Sequence, residues 1–232
     1  MKLNSLSQAA REKRLKAFVS PDSIISLRAY NAILTGTVAY GLLINVLMCR
    51  SSIADFVLRS MNPIVFFVGY AFSAFIGIFI AQRSSNALVS FIGYNLVVLP
   101  MGITVSLAVN VGGFDPSVVW HAVITTAGVT VIMVAAGLLF PQFFAKLGSI
   151  LFFGLIGVLI GVILSFFVRG VNLPVTVISA GLFSLYIGYD VYRSQQFPRT
   201  VDNAVDCAID IYLDIINLFL DLLRIFGKSS DS

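Results

Sequence analysis

The sequence predicts an all-α polytopic membrane protein with seven transmembrane helices. Three observations carry that reading. The 232 residues are 58% hydrophobic and only 11% charged, with a mean hydropathy of +0.96, more apolar than a soluble domain of this length can hide. The apolar residues gather into runs near the ~20 residues that cross a bilayer as a helix. Runs such as "ILFFGLIGVLIGVILSFFV" also lack the strict alternation of the ~10-residue strands in a transmembrane barrel. Backbone polar groups in lipid must be satisfied within their own segment, so each run is expected to be helical.

The seven segments run roughly 29–48, 63–82, 87–109, 117–140, 147–168, 173–191 and 206–226. They form one transmembrane domain, 29–226, between a basic arm, 1–28, and a short tail, 227–232. The arm is too long for the n-region of a cleavable signal peptide. Its "SQAAREKRLKAF" reads as a solvated topology-setting stretch, with a basic amphipathic helix as the rival. Asn62-Pro63, Asp115-Pro116 and Leu173-Pro174 have the look of N-caps followed by proline in the first turn. Pro100 falls inside the third segment and is expected to kink it. Ser73–Gly77 and Gly157–Gly161 have the small-xxx-small spacing of helix packing. Cys49 and Cys207 form no metal or redox motif and read as free thiols.

Basic residues set the expected orientation. Lys2, Arg11, Lys13, Arg14, Lys16, Arg28, Arg83, Lys146, Arg193 and Arg199 fall on the side of the N-terminus. Arg50, Arg59, Arg169, Arg224 and Lys228 fall on the other. That bias puts the N-terminus in the cytoplasm. Seven crossings then place the C-terminus outside, with a re-entrant last segment as the rival. The net charge of +4 is explained by topology and gives no reason to expect nucleic acid.

The last segment, "VDNAVDCAIDIYLDIINLFLDLLRIFG", is as greasy as the others yet rich in acids. At about 100° per residue, Asp206, Asp210, Asp214, Asn217, Asp221 and Arg224 fall within roughly 80° of one another. Each Asp costs about 2.5–3.5 kcal/mol in mid-membrane. The stripe is therefore expected to face the protein interior, a partner charge or a water-filled path. Asp206, near the start, also reads as a solvated first-turn residue.

Asp190 closes the sixth apolar run, and Asp214 lies about two turns into the next. Two carboxylates that meet tend to share a proton. The plainer alternative pairs Asp190 with Arg193 or water. Arg83 ends the second segment, where a guanidinium can either latch a carboxylate or simply fix topology. His121 beside Trp120 reads as an interfacial belt position. No HExxH or nucleophile-elbow element is present, so an enzyme is not expected.

"SLYIGYDVYRSQQF" followed by "AIDIYLDIINLFLDLLRIFG" resembles the transmembrane Bax inhibitor motif family, in particular its bacterial members. The resemblance implies six helices around a central seventh and a pH-sensitive calcium leak. It implies that Asp190 and Asp214 form the proton-sensing pair, with Arg83 as their latch. The chain is therefore expected to sit in a bacterial inner membrane as a monomer, without a cofactor, moving calcium and answering to protons. Asp190 and Asp214 are the candidate calcium contacts, and Asp206, Asp210, Asn217 and Asp221 the candidate path. The alternatives are a non-conducting regulator bound to another membrane protein, such as a quality-control protease, and a proton-coupled cation exchanger.

Overall fold

The computed structural model describes residues 21–230. The amphipathic reading of the basic arm, and the last two residues of the tail, lie outside them. Among the described residues all regular structure is helical: a 3-10 turn at Pro21–Ser23, then nine α-helices. These are α1 Leu27–Arg50, α2 Ile53–Ser60, α3 Pro63–Arg83, α4 Ala87–Val111, α5 Pro116–Leu139, α6 Pro141–Phe144, α7 Gly148–Ser165, α8 Asn172–Ser194 and α9 Val201–Ser230. Six are long and apolar enough to cross a membrane: α1, α3 from Ile64, α4, α5, α7 and α8. The chain is thus a multi-pass membrane protein by composition and helix length.

Local chemistry places the boundaries. Asn62 caps α3 by accepting from the Ile64 N–H at 2.8 Å, and Asp115 caps α5 by accepting from the Ser117 N–H at 2.8 Å. Both helices open on proline, whose missing N–H costs nothing in the first turn. α8 starts earlier than expected, at Asn172, so Pro174 falls third in the helix, where the N–H is still unused by the helical ladder. Pro100 lies within the single helix α4. The sharp connections use glycine at positive φ, Gly113 at 71° and Gly170 at 87°, a backbone state that side chains disfavour. Two short helices were not legible as apolar runs: α2, between α1 and α3, and the single-turn α6 behind Pro141.

α9 departs most from expectation. It begins at Val201, five residues before the apolar run, and extends to Ser230. Thirty residues make about 45 Å of helix, more than a bilayer core needs. Its acids rule it out as a lipid-facing span, and it is also the most thoroughly buried helix. Ala204, Ala208, Ile211, Tyr212, Ile216, Leu218 and Leu223 are all nearly inaccessible, as are Asp206, Asp214 and Asp221. Asp206 is therefore no solvated first-turn residue: the earlier start moves it to the second turn, and it is 2% exposed.

The chain divides into two compact units, residues 21–106 with 194–209, and 107–193 with 210–230. In the first, side-chain donors tie helices together. Tyr94 donates to the Thr37 carbonyl at 2.8 Å, Ser106 to Met48 at 3.0 Å, Ser73 to Leu96 at 2.8 Å, and Tyr40 to Asn95 Oδ1 at 2.8 Å. Tyr30, fully buried, donates to the Ser194 carbonyl at 2.9 Å and to Cys207 Sγ at 3.7 Å. Gly77 and Gly93 bring α3 and α4 so close that a Cβ on either would lie 2.5 Å from the other's carbonyl oxygen. In the second unit, Gly137 of α5 abuts the Gly188 backbone of α8, and Gly161 of α7 packs on Val175. Gly157 faces open space, so only half of the Gly157–Gly161 spacing is used for packing.

Candidate functional site

The second unit gathers acidic side chains between α8 and α9. Asp190 stands four residues before the end of α8, and Asp214 thirteen residues beyond Val201 on α9. Asp214 is thus about 20 Å into its helix, deeper than the two turns the apolar run suggested. The two carboxyl side chains lie close enough to act directly on each other. Two carboxylates have no proton to donate, so a hydrogen bond between them forms only when one of the pair carries a proton. Asp190 is partly accessible, whereas Asp214 is 7% exposed. Asp214 Oδ2 has no hydrogen-bond partner and is closed to solvent. Asp210, one turn back on α9, is close enough to act on Asp214 electrostatically.

Tyr186 also belongs to the site and was missed in the sequence. It lies one turn before Asp190 on α8, and its phenol is within electrostatic reach of both Asp190 and Asp214. The signal was available: Tyr and Asp four apart on a helix share a face. Tyr186 is one rung of a ring ladder along α8, with centroid distances of 6.2 Å to Phe183 and 6.5 Å to Tyr189, which continues to Tyr192 at 6.4 Å.

Further along α9, Asn217 is half-buried. Asp221 lies beside Ser179 of α8 and touches Arg224 at 3.3 Å. In the first unit, Asp206 is near Tyr30. Asp202, in the first turn of α9, accepts from the fully buried Ser90 hydroxyl at 2.7 Å, an anchor for that helix that the sequence did not single out. Arg83, also in the first unit, is exposed at the end of α3 with its guanidinium 4.5 Å above the Phe79 ring, a cation–π arrangement. His121 and Trp120 are exposed. Among the described residues, no three His, Cys, Asp or Glu side chains converge as a metal cage.

A protein-family profile described as inhibitor of apoptosis-promoting Bax1 matches residues 24–231. The chain belongs to this family. Bax inhibitor membership thus covers every described helix, including the acid-rich α9. A membrane protein of Streptococcus pyogenes serotype M1, itself described as uncharacterized, is 28% identical over 182 residues, 73% of this chain and 77% of the relative. A Helicobacter pylori protein is 34% identical over 116 residues, 49% of each chain. A Deinococcus radiodurans protein is 28% identical over 163 residues, 65% of this chain and 68% of its own. The chain spans about half the length of the Helicobacter relatives it matches.

Proposed function

We propose that this Bax inhibitor family protein is a pH-sensitive calcium leak of a bacterial inner membrane. The observation that carries the reading is the approach of the Asp190 carboxyl to the buried Asp214. A shared proton holds two like charges together. Losing it leaves two carboxylates in contact, which repel. Repulsion biases the site toward a second arrangement, and a hard cation suited to oxygen ligands can then replace the proton. α9 serves as a seventh crossing with its acids kept from lipid. Asp210, Asn217 and Asp221 supply oxygens along it, and Asp206 extends the series toward the start of the helix. Arg83 is assigned the latch role that the family resemblance implies. The N-terminus is taken as cytoplasmic from the distribution of basic residues.

Calcium flux into proteoliposomes across a pH series tests this reading. Wild-type flux is expected to change with pH, and Asp214→Asn, which cannot ionise, is expected to flatten the profile. An Asp214→Asn profile that tracks the wild type would remove the sensor assignment. Absence of flux from the wild type at every pH would remove the leak itself.

A further inference from the structure

α9 carries a further buried carboxyl in the second unit that the Asp190–Asp214 pair does not use. Asp221 lies seven residues beyond Asp214, about 10 Å along the helix and about 20° around it. It is 5% exposed. Two groups hold one side of it. Ser179 of α8, also 5% exposed, lies beside it and acts on it. Arg224, one turn further along α9, approaches Oδ1 with Nη1 at 3.3 Å. That contact is long beside the roughly 2.7–2.9 Å of a well-formed charge-assisted bond. The arginine side chain is 60% exposed, so water competes for it. Arg224 is the charged group acting on Asp221 from its own helix, and neutral Ser179 is the group facing it from α8.

The other oxygen, Oδ2, has no hydrogen-bond partner and is closed to solvent. An ionised carboxylate accepts at both oxygens, and leaving one bare in a buried site is costly. One long contact to an exposed guanidinium leaves most of that cost in place. A proton on Oδ2 removes the charge and with it the need for further donors. Asn217 stands between the two acids, three residues after Asp214 and four before Asp221, a spacing that makes all three neighbours on one face. Asp214 also presents an unpartnered Oδ2.

We propose that Asp221 is a second proton-binding carboxyl, held by Ser179 and Arg224 and loaded independently of the Asp190–Asp214 pair. The face of α9 then carries two proton sites in series with Asn217 between them. This assignment needs no calcium flux, so it stands or falls apart from the leak.

The test is infrared difference spectroscopy of the full chain in lipid as the buffer is stepped in pH, reading the carbonyl stretch of protonated carboxyls. A band lost in Asp221→Asn and retained in Asp214→Asn is the expected result. Arg224→Gln removes the nearby cation and is expected to keep that band and extend it into less acidic buffer. Ser179→Ala leaves the carboxyl intact and is expected to shift the band's frequency, which preserves a readout if Asp221→Asn does not fold. Identical spectra for wild type and Asp221→Asn overturn the proposal. So does loss of the Asp221 band in Asp214→Asn, which makes the two acids one site, or a band that neither Ser179→Ala nor Arg224→Gln moves.

Discussion

The two units hold their helices together by different chemistry. In the first, several hydroxyls reach across to another helix, Tyr94 to Thr37, Ser106 to Met48 and Ser73 to Leu96, while Thr104 turns back to Pro100. In the second, the hydroxyls of Thr126, Thr176 and Ser184 turn back to the carbonyl four residues earlier on their own helix. Self-bonding satisfies the hydroxyl and ties nothing together. Between α8 and α9 in that unit the polar groups that face each other include carboxyls, Asp190 with Asp214 and Ser179 with Asp221. A hydroxyl–carbonyl tie is neutral at every pH. A carboxyl tie depends on where a proton sits, and the first unit holds one of its own, Ser90 with Asp202.

Substitutions can break or sharpen that contrast. The largest effect is expected from Gly93→Ala in the first unit. The new Cβ meets the Gly77 carbonyl oxygen at 2.5 Å, a backbone atom that cannot swing aside, and destabilisation of about 3 kcal/mol is expected. Gly157→Ala, which enters open space, serves as the control. Unfolding in detergent micelles measures both, and equal stability of the two variants would contradict the close approach.

Next comes a matched pair of hydroxyl deletions. Tyr94→Phe removes a tie between helices and is expected to cost about 1 kcal/mol. Ser184→Ala removes only a bond within its own helix and is expected to cost less than about 0.5 kcal/mol. The same unfolding measurement compares them, and the contrast fails if Ser184→Ala costs as much as Tyr94→Phe.

The smallest effect concerns Asp115, which is fully solvent-exposed at the start of α5. The Ser117 side chain first, and its backbone N–H second, hold the Asp115 carboxylate below the usual range. A lowered folded-state pKa means the cap stabilises fully above the unfolded value of about 3.9 and loses that contribution as the pH falls through the lower folded value. The stability gap between wild type and Asp115→Ala is therefore expected to be constant from neutral pH down to about pH 4 and to close below it. A gap that closes near neutral pH would point to a different group.

Much of this was legible because membrane spans and caps are local. Apolar runs located α1, α3, α4, α5, α7 and α8 within a few residues, and Asn62 and Asp115 marked two starts. α2 and α6 were not legible: eight- and four-residue helices leave too short a pattern. The start of α9 was misplaced because Val201–Val205 is tied by polar contacts, Asp202 to Ser90 and Asn203 to Pro198, which carry no hydropathy signal. Asp190 and Asp214 stood out as acids in apolar runs. Tyr186 did not, because a tyrosine among tyrosines draws attention only once its neighbours are known.

The sequence by itself determined the membrane class, six of the helices and the single acidic face of α9, since each follows from composition and a period of 3.6 residues. It also carried the family, through the two motifs at the end of α8 and along α9. Only the tertiary structure decided what each acid meets. α9 carries five aspartates, four of them on one face of an apolar run. Packing gives Asp202 a serine donor, pairs Asp214 with another carboxyl, and leaves an oxygen of Asp221 with nothing to accept. Those differences come from what lies opposite each carboxyl on a neighbouring helix, which helical periodicity does not contain.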